Sequence, residues 1–81
     1  MAKLYLITYD LMTPGKDYDA LIRALREIGA ERRLYSVWLV RYAGVAPIDL
    51  AEYCLRFMDA NDRIFVTEVP DDFSYRSLMA A

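Results

Sequence analysis

Residues 3 to 10, Lys-Leu-Tyr-Leu-Ile-Thr-Tyr-Asp, form a nearly unbroken apolar run, rich in aromatic and β-branched side chains, that stops at a carboxylate. Such a run reads as a central strand buried on both faces. The rest of the chain must therefore supply what buries it.

In 81 residues that cover comes from one domain. Domains typically run to about 100 to 150 residues, and a chain this short buries only about 60% of its unfolded surface. An apolar fraction of 57% with 3 Gly and 3 Pro marks a globular chain, not a disordered one. Aromatics at 14% exceed what so thin a core can hold, which points to cover by a second copy and hence to a homodimer.

After the first strand, Met12-Thr13-Pro14-Gly15-Lys16 carries turn chemistry, and Asp17 is a candidate N-cap. Tyr18, Leu21, Ile22, Leu25 and Ile28 then recur at helical spacing, with Gly29 as the stop. Residues 31 to 42 are too β-branched and aromatic for a helix and long for one strand. They read as two strands reversing at Tyr35-Ser36, with one bent or bulged strand as the alternative. Pro47 suits the first turn of a second helix, whose apolar stripe is expected at Ile48, Ala51, Leu55 and Met58. Arg63 to Val69 reads as a last strand, stopped by Pro70, so the domain spans residues 1 to 70 and a short tail spans 71 to 81.

Strand, helix, strand, strand, helix, strand is the pattern of an α+β, ferredoxin-like βαββαβ domain, an antiparallel sheet with both helices on one face. The other face is left bare, and pairing two sheets face to face is the simplest symmetric way to cover it.

Several classes of chemistry are excluded. Zero histidines and one cysteine remove zinc sites, His-assisted nucleophiles and haem ligation. Three glycines contain neither a phosphate-binding loop nor a dinucleotide fingerprint. Cys54 cannot form an internal disulfide and reads as a small buried hydrophobe. Together with an N-terminus that lacks signal-peptide features, this suggests a reducing cytoplasm. No apolar run approaches the roughly 18 residues needed to span a bilayer, so no membrane partner is expected. The net charge of -2 argues against an extensive nucleic-acid surface. Basic residues are concentrated in the first half of the chain, however, so a local basic surface is compatible with it.

What remains is carboxylates, arginines and hydroxyls. Asp10, ending an apolar strand, must be solvated, paired or bound to a cation. It either caps the turn at Met12 to Gly15 or meets its copy across a two-fold axis, where Mg²⁺ or a shared proton relieves the repulsion. Mg²⁺ held in that way could activate water against a phosphodiester. Arg32 and Arg33 point to opposite faces of a strand, either as solvated edge charges or as phosphate contacts. Trp38 reads as core or interface packing, with base stacking as the alternative. Asp59, Asp62, Asp71 and Asp72 read as loop and capping aspartates.

A first strand ending Tyr9-Asp10, a Gly-terminated amphipathic helix and Arg32-Arg33-Leu34-Tyr35-Ser36-Val37-Trp38 together resemble the CRISPR-associated Cas-two family and the related virulence-associated protein D. The similarity runs over about residues 3 to 69. It implies a homodimeric ferredoxin-like domain with metal-dependent nuclease activity or a structural nucleic-acid-binding role. By position, Asp10 would be the metal-binding carboxylate, Tyr9 its neighbour, Arg32 the strand arginine, and Ser36 and Trp38 the turn serine and the aromatic after it. Leu34 and Leu39 stand where Cas-two proteins usually carry Gln and an acid, which suits a stand-alone relative better than a subunit of CRISPR adaptation.

The expectation is thus a Cas-two-like, Mg²⁺-dependent endonuclease or ribonuclease, toxin-like in character and acting on RNA or DNA as a homodimer. Asp10, Tyr9 and Ser36 would form its catalytic group, and Arg23, Arg32, Arg33 and Trp38 its nucleic-acid contacts. The alternative is a non-catalytic dimerising module that binds nucleic acid or protein. A small-molecule sensor, another use of this fold, finds no binding motif here.

Overall fold

The computed structural model describes residues 2–12 and 18–70. Six elements follow one another: β1 (Ala2–Asp10), α1 (Asp19–Glu27), β2 (Glu31–Leu34), β3 (Val37–Ala43), α2 (Pro47–Leu55) and β4 (Arg63–Glu68). The strands form one sheet in the order β2-β3-β1-β4, and every pairing is antiparallel. This is the ferredoxin-like arrangement, with the first apolar run at the centre. The expected turn at 13–17 with its Asp17 cap, and the tail from 71 onward with Asp71 and Asp72, lie outside the described residues.

Register decides which residues meet. Tyr5 lies opposite Val40, and Ile7 lies between Trp38 and Val66. Residues directly opposite share a face, so Tyr5, Ile7 and Tyr9 form one apolar surface with Val40, Trp38, Val66 and Ile64. Leu21 and Leu25 from α1 and Leu50 and Cys54 from α2 pack on it, joining Tyr5, Ile7, Tyr9, Trp38 and Val40 in a single buried cluster. The even positions form the other face, where Leu6 and Thr8 meet Leu39 and Val37 on β3 and Thr67 and Phe65 on β4. Leu4 and Leu39 are buried there, outside the main cluster, while Phe65 is 62% exposed.

α1 forms where the periodicity placed it. Leu21, Ala24 and Leu25 are buried on one stripe, and the helix ends in a Schellman motif. The Gly29 N–H donates to Arg26 O and the Ala30 N–H to Leu25 O, both at 3.0 Å. This closure needs a left-handed residue after the last turn, and Gly29 supplies it at φ 85° without a Cβ clash.

The β2–β3 reversal is at Tyr35-Ser36, as the two-strand reading expected. Neither residue has positive φ, so the tight primed turns that match strand twist are ruled out. The ladder accommodates this through an irregularity between Arg32 and Leu34, the local extra residue of a bulge.

The apolar stripe expected for α2 is corrected. Leu50 and Cys54 are buried, and Tyr53, Phe57 and Met58 pack beside them, whereas Ile48 is 58% exposed and Leu55 is also exposed. Apolar residues run most of the way round this helix, so spacing alone allows two stripes. The entry of the chain selects between them. Tyr5, fully buried, donates its hydroxyl to the Val45 carbonyl and accepts the Val45 N–H at 3.1 Å, which pins the segment just before Pro47. Tyr53 then ties α2 to α1 through a 3.1 Å bond to the Ala24 carbonyl.

Cys54 is wholly buried, and burial pushes its thiol up from 9.0 to about 11. It is a small core residue, not a nucleophile. Among the described residues, no helix is long and apolar enough to cross a membrane.

The rotated stripe has a measurable consequence. Leu50→Ala should cost about 2 to 5 kcal/mol of unfolding free energy, while Ile48→Ala should stay within about 0.5 kcal/mol of the parent. Denaturant titration of the two variants checks this, and equal losses would contradict the packing.

Candidate functional site

The end of β1, the first turn of α1 and the β2–β3 hairpin meet at one end of the sheet, enclosing a half-open cleft of about 600 Å³. Its floor begins with Tyr9. This residue points to the helix side with Ile7 and is buried, so its hydroxyl needs partners. It accepts the Trp38 indole N–H at 2.9 Å and, at the long limit of 3.5 Å, an N–H from Arg32 Nη2. Trp38 is 1% exposed. Its place is in the core, and none of its ring is open to a base.

Arg32 lies opposite Trp38 in the β2–β3 register. Its guanidinium carbon sits 4.9 Å from the centroid of the Trp38 ring and 5.5 Å from that of Tyr35. A guanidinium over aromatic faces is favourable and restricted in orientation. A graded stack results, from the buried hydroxyl and indole through the cation to an exposed ring. Arg32 lines the cleft and makes no ion pair with any described carboxylate.

Asp10 is exposed at the strand end, opposite Arg63 in the ladder, and its carboxylate has no hydrogen-bond or ion-pair partner among the described residues. It lines the main cleft and also a smaller one of about 260 Å³, shared with Thr8, Arg63 and Phe65. The turn from Met12 to Gly15 that Asp10 was alternatively expected to cap lies outside the described residues beyond Met12, and at Met12 itself a different carboxylate accepts the N–H. Asp62 accepts the Met12 N–H at 2.8 Å, the Tyr18 hydroxyl at 2.9 Å and the Asp59 N–H at 2.7 Å. One half-buried carboxylate from the α2–β4 connection thus engages both Met12 after β1 and Tyr18 before α1. Asp59 accepts the Ala60 N–H at 3.1 Å, so both aspartates are loop residues, as expected.

The other candidates fall in different places. Ser36 lines the cleft beside Tyr35. Arg23 lies next door in a groove of about 420 Å³ along α1, with Arg26 and Glu27, and this groove shares Asp19 and Ile22 with the cleft. Arg33 is turned away and pairs with Glu31 at 3.1 Å. The structure therefore unites Tyr9, Asp10, Arg32 and Ser36, sets Arg23 at the margin and takes Trp38 out of contact.

No three His, Cys, Asp or Glu side chains among the described residues converge as a metal group. Within one chain the cleft offers Mg²⁺ the Asp10 carboxylate, with Asp19 on another wall.

Two features escaped the sequence reading. Asp62 acts across 50 positions of chain, and no local pattern reveals that. Tyr35 left a trace, since an aromatic in a two-residue turn stands where Gly, Asn or Asp is usual.

Tyr9→Phe conserves volume but strands the buried indole N–H of Trp38, which should cost about 1 to 3 kcal/mol. Trp38 is the one tryptophan, so its fluorescence reports both the unfolding and the change in its surroundings; unchanged stability would deny the bond its structural role. No protein-family model matches the chain.

Proposed function

We propose that this chain acts as a homodimer that binds nucleic acid at the cleft and hydrolyses its phosphodiester backbone with Mg²⁺ held at Asp10. The supporting observation is one juxtaposition: Arg32 and Asp10 line the same cleft, and neither has an ionic partner among the described residues. A guanidinium without a carboxylate is a ready donor to phosphate oxygens, and its planar fork suits their geometry. Support on Trp38 limits the orientations it can take.

Neither oxygen of Asp10 has a partner among the described residues, which suits the carboxylate to a cation. Mg²⁺ accepts one or two carboxylates and otherwise keeps its waters; when bound, it supplies charge neutralisation and a more acidic water. The remaining work belongs to the chain itself. Arg32 holds a non-bridging phosphate oxygen, Tyr9 fixes Arg32 and Trp38 relative to β1, and Ser36 offers a hydroxyl on the hairpin side.

The support for the dimer comes from the second sheet face, where Leu4 and Leu39 are already buried within one chain and Phe65 is not. Phe65 is largely exposed there, and the β1–β4 register places Asp10 on the same side as Phe65 and Arg63. Pairing two such faces covers Phe65 and draws together the two β1 ends, so that the partner copy provides a second carboxylate. If the chain proves not to cut, the same cleft on a non-catalytic dimer is the remaining reading, because Arg32 needs no metal to hold a phosphate.

Two measurements test this. Pure protein should cleave labelled single-stranded RNA or duplex DNA with Mg²⁺ and not with chelator, and Asp10→Asn, which should stay folded, should abolish cleavage; metal-independent or undiminished cutting refutes the role of Asp10. By sedimentation, the parent should be a dimer at micromolar concentration and Phe65→Asp a folded monomer. A monomeric parent would remove the dimer from the proposal.

A further inference from the structure

The outer wall of the cleft is an aromatic ring for which the fold has no use. Tyr35 is 89% exposed, and its hydroxyl has no hydrogen-bond partner among the described residues. It adds nothing to the core, and at the first position of a two-residue turn it is not the residue that turn geometry favours. Among the described residues it meets the Arg32 guanidinium, whose carbon is 5.5 Å from the ring centroid. Arg32 is in turn held by Trp38 and Tyr9. The ring is thus set against a supported cation, at the rim of a cleft that also contains Asp10 and Ser36.

We propose that Tyr35 is the platform on which an unpaired base of a single-stranded nucleic acid stacks, with the neighbouring phosphate on Arg32. This rests on the nucleic-acid reading above and specifies its substrate class. The chemistry favours a single strand for two reasons. A duplex presents base edges and keeps the faces stacked, so an exposed aromatic ring finds a face only on an unstacked base. The chain also carries a net charge of -2, so phosphate attraction alone is a weak source of affinity. Stacking, which is independent of net charge, supplies what the electrostatics lack. The stacking role foreseen for Trp38 belongs instead to Tyr35, three residues earlier, because Trp38 is closed off in the core.

Fluorescence anisotropy in chelator, where cutting cannot interfere, tests the assignment on a labelled single-stranded RNA and on a duplex of the same sequence. Tyr35→Ala should weaken single-strand binding about tenfold and leave duplex binding unchanged, while Tyr35→Phe and Tyr35→Trp keep the parental affinity. Arg32→Ala should weaken both forms. If Tyr35→Ala binds the single strand as tightly as the parent while Arg32→Ala does not, the platform is refuted and the nucleic-acid reading stands. Equal weakening on single strand and duplex also refutes base stacking. A parent protein that binds neither form overturns the platform and the nucleic-acid reading together.

Discussion

A buried indole N–H must find an acceptor, and Trp38 finds one in the Tyr9 hydroxyl at 2.9 Å. That bond joins the two central strands, β1 and β3, at the end where the cleft opens. It also fixes the floor on which Arg32 rests, since the β2–β3 register places Arg32 opposite Trp38. Tyr35 then stands outermost, over the same cation. Without the Tyr9 acceptor, the indole would be left unsatisfied in the core and the arginine would lose one of its two supports.

The rest of the molecule keeps this arrangement in place through a few polar contacts made over long stretches of chain. Asp62 gathers the Met12 N–H and the Tyr18 hydroxyl, so two residues that line the cleft are held from 50 and 44 positions further along the sequence. Tyr5 does the same for the approach to α2 by engaging both backbone groups of Val45. Each side chain satisfies backbone groups that a loop cannot satisfy alone. A core as small as this one relies on such contacts more than a large one does.

Much of the fold was legible because its signals are local. The apolar run at residues 3 to 10, the stripe from Leu21 to Ile28 and the Gly29 stop each state their own geometry, and the order of elements then leaves few topologies. α2 shows where this fails. Ile48, Leu50, Ala51, Tyr53, Cys54 and Leu55 are apolar or aromatic on most sides of the helix, so periodicity could not say which side is buried. The Tyr35-Ser36 turn was one of two readings of a long β-rich segment, the other being a single bent or bulged strand, and the place of the bulge at Arg33 was not legible, because twist is a property of two paired strands.

The site divides in the same way. Asp10 was evident from sequence alone, since a carboxylate ending an apolar strand contradicts its surroundings. Sequence by itself determined the elements, their order and the residues able to bear charge or chemistry, because these follow from composition and spacing along the chain. Only the tertiary structure decided that Trp38 is closed off while Tyr35 is open, that Arg33 turns to Glu31 while Arg32 lines the cleft, and that Asp62 accepts the Met12 N–H. Those outcomes depend on strand register and on contacts between residues far apart in the chain, and both exist only once the sheet has formed.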